Sequence, residues 1–193
     1  MSKGDETKAR LIETTADLIT RQGYHATGLN QIVQESGTPI GSLYYHFKGG
    51  KDELVVAAMR ARGKVVEAAM QHIFETASDA ATSLEAVAQF LSEEMESSQY
   101  QKGCPIATVA LEQAAHNDTI QSTAQAVYRA WQAQIAAFLI RIGYTTEQAQ
   151  SIALFSLTVI EGGLVLSHAE RSTTPLKQAI GILINLLQSL PRS

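Results

Sequence analysis

Two groups of side chains in this sequence could do chemistry. The first is a short stretch after Gly37, whose hydroxyl, phenol and imidazole groups can donate hydrogen bonds to a nucleic acid. The second is Cys104 with Glu112 and His116, which are the residue types of a hydrolase. No nucleophile elbow, phosphate loop or metal motif surrounds the second group, so the sequence favours a binding protein over an enzyme.

The histidines and the single cysteine of the sequence give little indication of metal binding or redox chemistry. His72, His116 and His168 are too scattered for a metal-binding motif, so neither a metal nor a cofactor is expected. The single cysteine, Cys104, excludes an internal disulfide framework. It is expected to be an inert buried thiol, with redox sensing as the alternative.

Helical periodicity runs through almost the whole chain and predicts an all-α fold of about nine helices. The first helix should end at Gly23. The second should begin after Thr27, a good N-cap, and end at Gly37. Thr38 and Pro39 then supply an N-cap and a first residue for a short third helix.

The third helix should bury Leu43 and Phe47, and a long fourth helix from about Lys51 to Ala77 should follow it. Two helices joined by a tight glycine turn, the second short and polar on its outer side, fit the major groove of DNA as a helix-turn-helix. Such a pair also occurs as a plain helical hairpin, and geometry alone leaves both possibilities open.

The residues of these helices closely resemble the signature of the TetR (tetracycline-repressor-like) family over about residues 7–60. The matching residues are Gly23-Tyr24, Thr27, Ile32, Gly37, Gly41-Ser42-Leu43-Tyr44-Tyr45-His46-Phe47 and Lys51-Asp52-Glu53-Leu54. The stretch from Pro39 to Lys51, with the later Gly103-Cys104-Pro105-Ile106-Ala107, resembles the branch of lincomycin-type multidrug-resistance regulators.

The resemblance implies a division of labour at DNA. Tyr45, His46 and Lys51 match positions that usually contact phosphates, and Thr27 lies where a helix N-terminus can meet an anion. The candidates for base edges lie at the start of the short helix, and Tyr44 has packing as an alternative role. The full predicted DNA-binding set is Thr27, Thr38, Pro39, Ile40, Ser42, Tyr44, Tyr45, His46, Lys48 and Lys51.

Pro39 departs from the family pattern, because many members have a serine there whose hydroxyl caps the helix and can meet DNA. Proline can do neither. Thr38 could take over the cap, so the fold is not endangered, but the DNA contact at this position differs.

The charge of the chain is unevenly distributed. Residues 1–64 carry a balance of +2, whereas the remaining residues carry −6, which together make the net charge of −4. A mildly basic N-terminal part suits DNA binding, and an acidic body suits another task. We therefore expect a helix-turn-helix domain over residues 1–50. A ligand-binding and dimerisation domain, including the connecting fourth helix, should occupy residues 51–193.

The last two predicted helices are apolar almost all round, which requires burial on all sides. Burial of the outer side most easily comes from a second copy of the chain, and the Gly162-Gly163 pair permits close helix approach. The alternative is a core helix within one subunit. The sequence thus predicts a homodimer with interface residues Phe155, Val159, Gly162, Leu166, Ile180, Leu183 and Leu187.

The middle helices contain residues that could surround an apolar effector cavity, although each could equally be simple core. These candidates are Phe90, Met95, Tyr100, Cys104, Tyr128, Trp131, Phe138 and Phe155. The resemblance implies a repressor that an apolar or amphipathic effector releases from an operator, which its dimer symmetry predicts to be palindromic. A ligand-independent DNA-binding regulator is the alternative.

The longest apolar stretch, Ile152 to Leu166, is shorter than the ~18 residues of a membrane-spanning helix and contains Glu161. A buried helix is therefore expected there rather than a membrane span. The N-terminus lacks the apolar segment of a secretory signal, so the expected location is the cytoplasm.

Overall fold

The computed structural model describes residues 3–190, which fold into nine α-helices without a strand among them. This confirms the predicted all-α class with three N-terminal helices and a long fourth. The helices are α1 (Lys3–Ala26), α2 (Leu29–Ser36), α3 (Ile40–His46), α4 (Lys51–Thr76), α5 (Ala80–Ser97), α6 (Pro105–Gln113), α7 (Asp118–Arg141), α8 (Thr146–Glu170) and α9 (Thr174–Ser189).

Gly37 ends α2 as the sequence predicts, whereas α1 does not end at Gly23 but continues to Ala26. Gly23 has a φ of 77° and interrupts the regular helical backbone of α1, leaving one further turn before α2. Gly37 ends α2 in the left-handed conformation, with a φ of 61°. A side chain would be strained at both positions, because L-residues rarely adopt such positive φ values.

The predicted caps of α2 and α3 are wrong. Gly28 rather than Thr27 is the N-cap of α2, and the Thr27 hydroxyl instead donates to the carbonyl of Gly23 at 2.7 Å. Pro39 is the N-cap of α3, where Thr38 was expected. In both cases the threonine side chain turns inward, because a hydrogen-bonding partner earlier in the chain, the Gly23 carbonyl or the Ser36 hydroxyl, lies within its reach.

The described residues form two compact units. Among the described residues, the N-terminal unit comprises residues 3–65 with Cys104–Val127, and the C-terminal unit comprises Val66–Gly103 with residues 128–190. Both α4 and α7 therefore begin in the first unit and end in the second. The predicted boundary at residue 50 separates a DNA-binding domain from a ligand-binding domain, whereas the two units are defined by their compactness. The predicted boundary therefore stays a prediction.

Each unit has its own apolar core. In the N-terminal unit, the short α3 is held against α1, α2 and α4 by a cluster of buried side chains: Leu11, Leu18, Ile32, Leu43, Phe47 and Leu54. In the C-terminal unit, Leu176, Ile180, Leu183 and Leu187 of α9 are buried. The core of the N-terminal unit fixes the orientation of α3. Because Leu43 and Phe47 are buried in this core, the opposite side of α3 must face solvent.

The α8 helix begins with the predicted capping box, in which Thr145 and Gln148 satisfy each other's backbone N–H groups. By length and composition α8 is able to cross a membrane, and 39% of its most apolar window is buried in the structure. A core helix of a soluble protein passes the same test, so α8 is weak evidence for a membrane span.

Candidate nucleic-acid interface

The α3 helix divides its side chains sharply between core and solvent. Leu43 and Phe47 are 0% and 2% exposed, whereas Ile40, Tyr44 and Tyr45 are 44%, 51% and 78% exposed. Exposure of three large apolar or aromatic side chains on a seven-residue helix is unusual, because such groups normally join the core. This surface is therefore available to a partner.

Most of the predicted DNA-binding residues lie on or beside this exposed surface. Pro39 and Lys48, which flank α3, are exposed, and Ser42 and His46 are half-buried within it. The Tyr45 ring meets the His46 ring edge-on, with their centroids 5.0 Å apart. Phenol, imidazole and ammonium donors thus lie close to the apolar residues that begin the helix.

Two predicted contact residues lie elsewhere. Thr27 is 0% exposed, with its hydroxyl bonded within α1, and Thr38 is 3% exposed. The hydroxyls of Thr38 and Ser36 are hydrogen-bonded to each other at 2.7 Å. Because both threonine hydroxyls already have partners inside the unit, the structure gives these side chains a packing role rather than the predicted contact with DNA.

Lys51 is half-buried at the start of α4, with its ammonium group 4.0 Å from the centroid of the Tyr24 ring. Burial lowers the pKa of Lys51, while the carboxylates of Asp52 and Glu112 oppose that shift. The Tyr24 hydroxyl donates to Asp52, and burial together with that carboxylate raises the pKa of Tyr24 to about 12. The predicted phosphate donor is thus engaged by an aromatic ring and two acidic groups.

A polar network joins α6 to the helix-turn-helix, and the sequence analysis did not find it. The backbone N–H of His25 donates to the Glu112 carboxylate at 2.7 Å, and the Gln113 amide lies 2.9 Å from His25 Nε2. Asn117 donates to Asp52 at 2.8 Å. These contacts span 65 to 88 residues in sequence, so no local pattern could have revealed them.

The three residues of the hydrolase type have separate places in the structure. Glu112 is bonded to His25, His116 is exposed, and the Cys104 sulfur caps α6 by accepting the N–H of Ala107 at 3.5 Å. Cys104 is half-buried rather than fully buried as expected. Within the part of the chain described, no group of three His, Cys, Asp or Glu side chains could hold a metal ion.

The C-terminal unit contains a small apolar cavity of about 50 Å³. Of the eight predicted effector residues, only Phe138 lines this cavity, where its ring stacks on that of Phe74 with centroids 4.6 Å apart. Met95 and Trp131 are buried, but Phe155 is 48% exposed, which is contrary to its predicted place in a cavity. The cavity is lined by Met70, Phe74, Ala80, Ser83, Leu84, Val87, Ile135, Phe138, Leu139, Ser156, Ile160 and Leu187.

The predicted dimer interface divides into two groups. Phe155, Gly162 and Leu166 are exposed on α8, and Val159 is half-buried. The three residues predicted on α9, Ile180, Leu183 and Leu187, are only 1%, 1% and 2% exposed, so they belong to the core of their own subunit. That assignment is wrong, because α9 turns a different row outward, in which Ile182 and Leu186 are 71% and 43% exposed.

The two glycines of α8 also differ. A Cβ atom on Gly163 would lie 3.1 Å from the Leu176 Cα, whereas a Cβ on Gly162 would meet nothing within 4 Å. Gly163 therefore permits the close approach of α8 and α9 within one subunit. Gly162 lies in the outward row with Phe155 and Leu166, spaced seven and four residues apart on α8.

Comparison with known proteins gives matches over both parts of the chain. Residues 11–58 match the family described as "Bacterial regulatory proteins, tetR family", and residues 80–181 match "Transcriptional regulator LmrA/YxaF-like, C-terminal domain". The chain is 35% identical to the uncharacterized HTH-type transcriptional regulator YxaF of Bacillus subtilis, over 91% of each chain. It is 30% identical to the HTH-type transcriptional regulator LmrA of the same organism, over 97% of this chain and all of LmrA.

Solved structures share the fold. A TetR transcriptional regulator from Legionella pneumophila superposes with a TM-score of 0.80 at 23% identity, covering 96% of this chain and 98% of its own. A TetR-family regulator from Agrobacterium tumefaciens gives a TM-score of 0.83 at 19% identity, with 95% and 98% covered.

Proposed function

The chain belongs to the TetR family of DNA-binding transcriptional regulators, with an LmrA/YxaF-like C-terminal domain, and we propose that it is a homodimeric, effector-released repressor. Family membership confirms the resemblance drawn from residues 7–60 and the expectation that the chain is not an enzyme. Its place of action is the cytoplasm, where operator DNA lies. The observation that carries the DNA-binding part of the proposal is the exposed face of α3.

In this proposal, α3 enters the major groove and the surrounding donors position it. Tyr45, His46 and Lys48 contact phosphates, because their donors lie at the exposed side or end of α3. Tyr44 and Ser42 contact base edges. We assign Lys51 to packing on Tyr24, since a phosphate contact would require its ammonium group to leave the ring and the nearby carboxylates.

Dimerisation uses the outward rows of α8 and α9, with Phe155, Gly162 and Leu166 on one helix and Ile182 and Leu186 on the other. Large apolar side chains that are 43–71% exposed favour a protein partner, and a second copy supplies an equally apolar surface. Two-fold symmetry then matches the paired half-sites of a palindromic operator.

The effector enters the cavity of the C-terminal unit. A volume of about 50 Å³ is far below the ~300–1,000 Å³ of ligand pockets, so an effector must enlarge the cavity to enter it. An effector that opens the cavity displaces Phe74, which lies on α4, the helix that begins at Lys51 in the N-terminal unit. A coupling of ~1–3 kcal/mol between the two sites changes operator affinity about 5–150-fold.

The small cavity also favours the second candidate, a regulator that binds DNA without responding to a ligand. A screen of apolar compounds against an operator complex separates the two, with Trp131 fluorescence as a second signal. Ile160→Phe should narrow the cavity and reduce release, whereas Ile140→Phe should not, because Ile140 does not line the cavity. Failure of every compound to release DNA would favour the ligand-independent regulator.

The DNA-binding proposal is tested by selecting an operator from a random duplex pool and measuring its binding by fluorescence anisotropy over a salt series. Lys48→Ala should weaken binding to operator and scrambled DNA alike and reduce the salt slope by about one per subunit. Lys51→Ala is the matched control and should leave the slope unchanged. A slope that falls only in Lys51→Ala contradicts this assignment of the two lysines.

A further inference from the structure

The residues that begin α3 leave few hydrogen-bonding groups on its outer surface. Pro39 and Gly41 are exposed, and Ile40 is 44% exposed. The nearest hydroxyls are restricted, because Thr38 is bonded to Ser36 and Ser42 is half-buried. Proline also lacks a backbone N–H, and the side chains at this end of the helix present mainly carbon atoms to a partner.

Exposed apolar side chains can distinguish base pairs favourably by contacting the one methyl group in the major groove, which belongs to thymine. In the major groove, adenine, guanine and cytosine present hydrogen-bonding groups, whereas thymine also presents an apolar C5-methyl group. Contact of isoleucine or proline with a polar base edge would remove water from that edge without replacing its hydrogen bonds, at a cost in free energy. Contact with a thymine methyl group buries apolar surface on both sides.

From this chemistry we propose that Pro39 and Ile40 are specificity-determining residues that recognise thymine methyl groups in each operator half-site. The inference rests on the proposed function, since it assumes that α3 enters the major groove. Gly41 assists by leaving open space, because a Cβ on it would meet nothing within 4 Å. The thymine edge can therefore approach the backbone between Ile40 and Ser42.

A protein partner explains this surface less well. The core cluster contains Leu43 and Phe47 but not Ile40, which is 44% exposed. The apolar atoms are bordered by the Tyr45 phenol and the Lys48 ammonium group, which are exposed donors suited to phosphates rather than to an apolar protein surface. An apolar centre flanked by such donors fits a thymine between two backbone strands.

The test replaces single thymidines of the selected operator by deoxyuridine, which removes only the methyl group. At the contacted thymines, each replacement should weaken binding about fourfold, the value that corresponds to the burial of one methyl or methylene group. Ile40→Ala should weaken binding to the unmodified operator about 16-fold, the square of that factor, because both half-sites lose the contact, and it should lose sensitivity to deoxyuridine at the thymine it contacts. Deoxyuridine outside the half-sites and the variant Ser42→Ala, which should retain that sensitivity, are the controls.

The outcomes separate the inference from the proposed function. Sequence-selective binding that no deoxyuridine substitution weakens would overturn the recognition of methyl groups but leave the DNA-binding regulator intact. The recognition of methyl groups by these residues would also be overturned if Ile40→Ala and Pro39→Ala were as sensitive to deoxyuridine as the unmodified protein. Absence of selective binding to any sequence would overturn the proposed function and this inference together. Circular dichroism of each variant verifies that the helices are retained.

Discussion

In the N-terminal unit, hydrogen bonds link the end of α6 to α1 and the residue Asn117 after it to α4, whereas in the C-terminal unit apolar side chains and a glycine join α8 to α9. In the first, Glu112, Gln113 and Asn117 hold His25 and Asp52. In the second, Gly163 approaches Leu176, and the α9 side chains that face inward are almost fully buried. Contacts of the first kind depend on geometry and protonation, and those of the second kind depend on volume.

This difference predicts where each unit is sensitive. The α8–α9 contact should respond strongly to changes in side-chain size, because close-packed interiors relax only partly around a cavity or an added atom. The α1–α4–α6 contact should respond to pH, because Tyr24 titrates within it.

The largest expected effect is that of Leu183→Ala, which removes a side chain that is 1% exposed. The free energy of unfolding should fall by ~2–5 kcal/mol, since the lost burial and the remaining cavity add together. Ile140→Ala, at a residue that is 45% exposed on α7, should cost about 1 kcal/mol or less. Urea denaturation measures both, and equal losses would contradict the burial of the α9 inner row.

The outward rows should behave differently from the inner row. Phe155→Asp combined with Ile182→Asp should keep the helical circular dichroism but weaken dimerisation by at least about 3 kcal/mol, or 100-fold, because two carboxylates would be buried in each half of the interface. Leu111→Asp, at a residue that is 86% exposed on α6, is the control and should remain dimeric. Analytical ultracentrifugation decides the outcome, and a double variant that stays fully dimeric would exclude these rows as the interface.

A smaller effect should distinguish the two adjacent glycines of α8. Within a single subunit, Gly162→Ala adds a methyl group that meets nothing within 4 Å, so in the dissociated chain it should stabilise the helix by ~0.5–1 kcal/mol. Gly163→Ala places its Cβ 3.1 Å from the Leu176 Cα and should be less stable than Gly162→Ala by ~1–3 kcal/mol. Both are measured by denaturation at one protein concentration, with the dimer monitored by light scattering, and identical stabilities would mean that α8 and α9 can separate without cost.

The smallest effect concerns pH in the N-terminal unit. The pKa of Tyr24 is raised from 10.0 to about 12 in the folded chain, so between these values the unfolded chain releases this proton first. Stability should therefore fall as the pH rises from 10 to 12. Tyr24→Phe should remove part of that decline, which urea denaturation at several alkaline pH values can measure. An unchanged decline in Tyr24→Phe would place the responsible group elsewhere.

Local rules predicted much of the fold and part of the candidate site. Gly23 and Gly37 interrupt or end helices because their backbone conformations favour glycine, and Thr145 with Gln148 forms a capping box because the two residues lie three apart. Leu43 and Phe47 could be assigned to the core by their spacing on one short helix. The same spacing predicted the exposed surface of α3. Once Leu43 and Phe47 are assigned to the core, the other side chains of this short helix must face solvent.

Where local rules allow two arrangements equally, only the tertiary structure shows which one the chain adopts. Spacing did not distinguish Leu183 from Ile182, because α9 is apolar on nearly every side and only the position of α8 and α5 selects its inner row. Thr27 and Thr38 are both good caps by residue type, yet their hydroxyls are hydrogen-bonded to the Gly23 carbonyl and the Ser36 hydroxyl instead. The sequence by itself determined the helices, their breaks and the family. Only the tertiary structure decided which apolar row stays exposed and that Glu112 meets His25, because both depend on contacts between residues far apart in the chain.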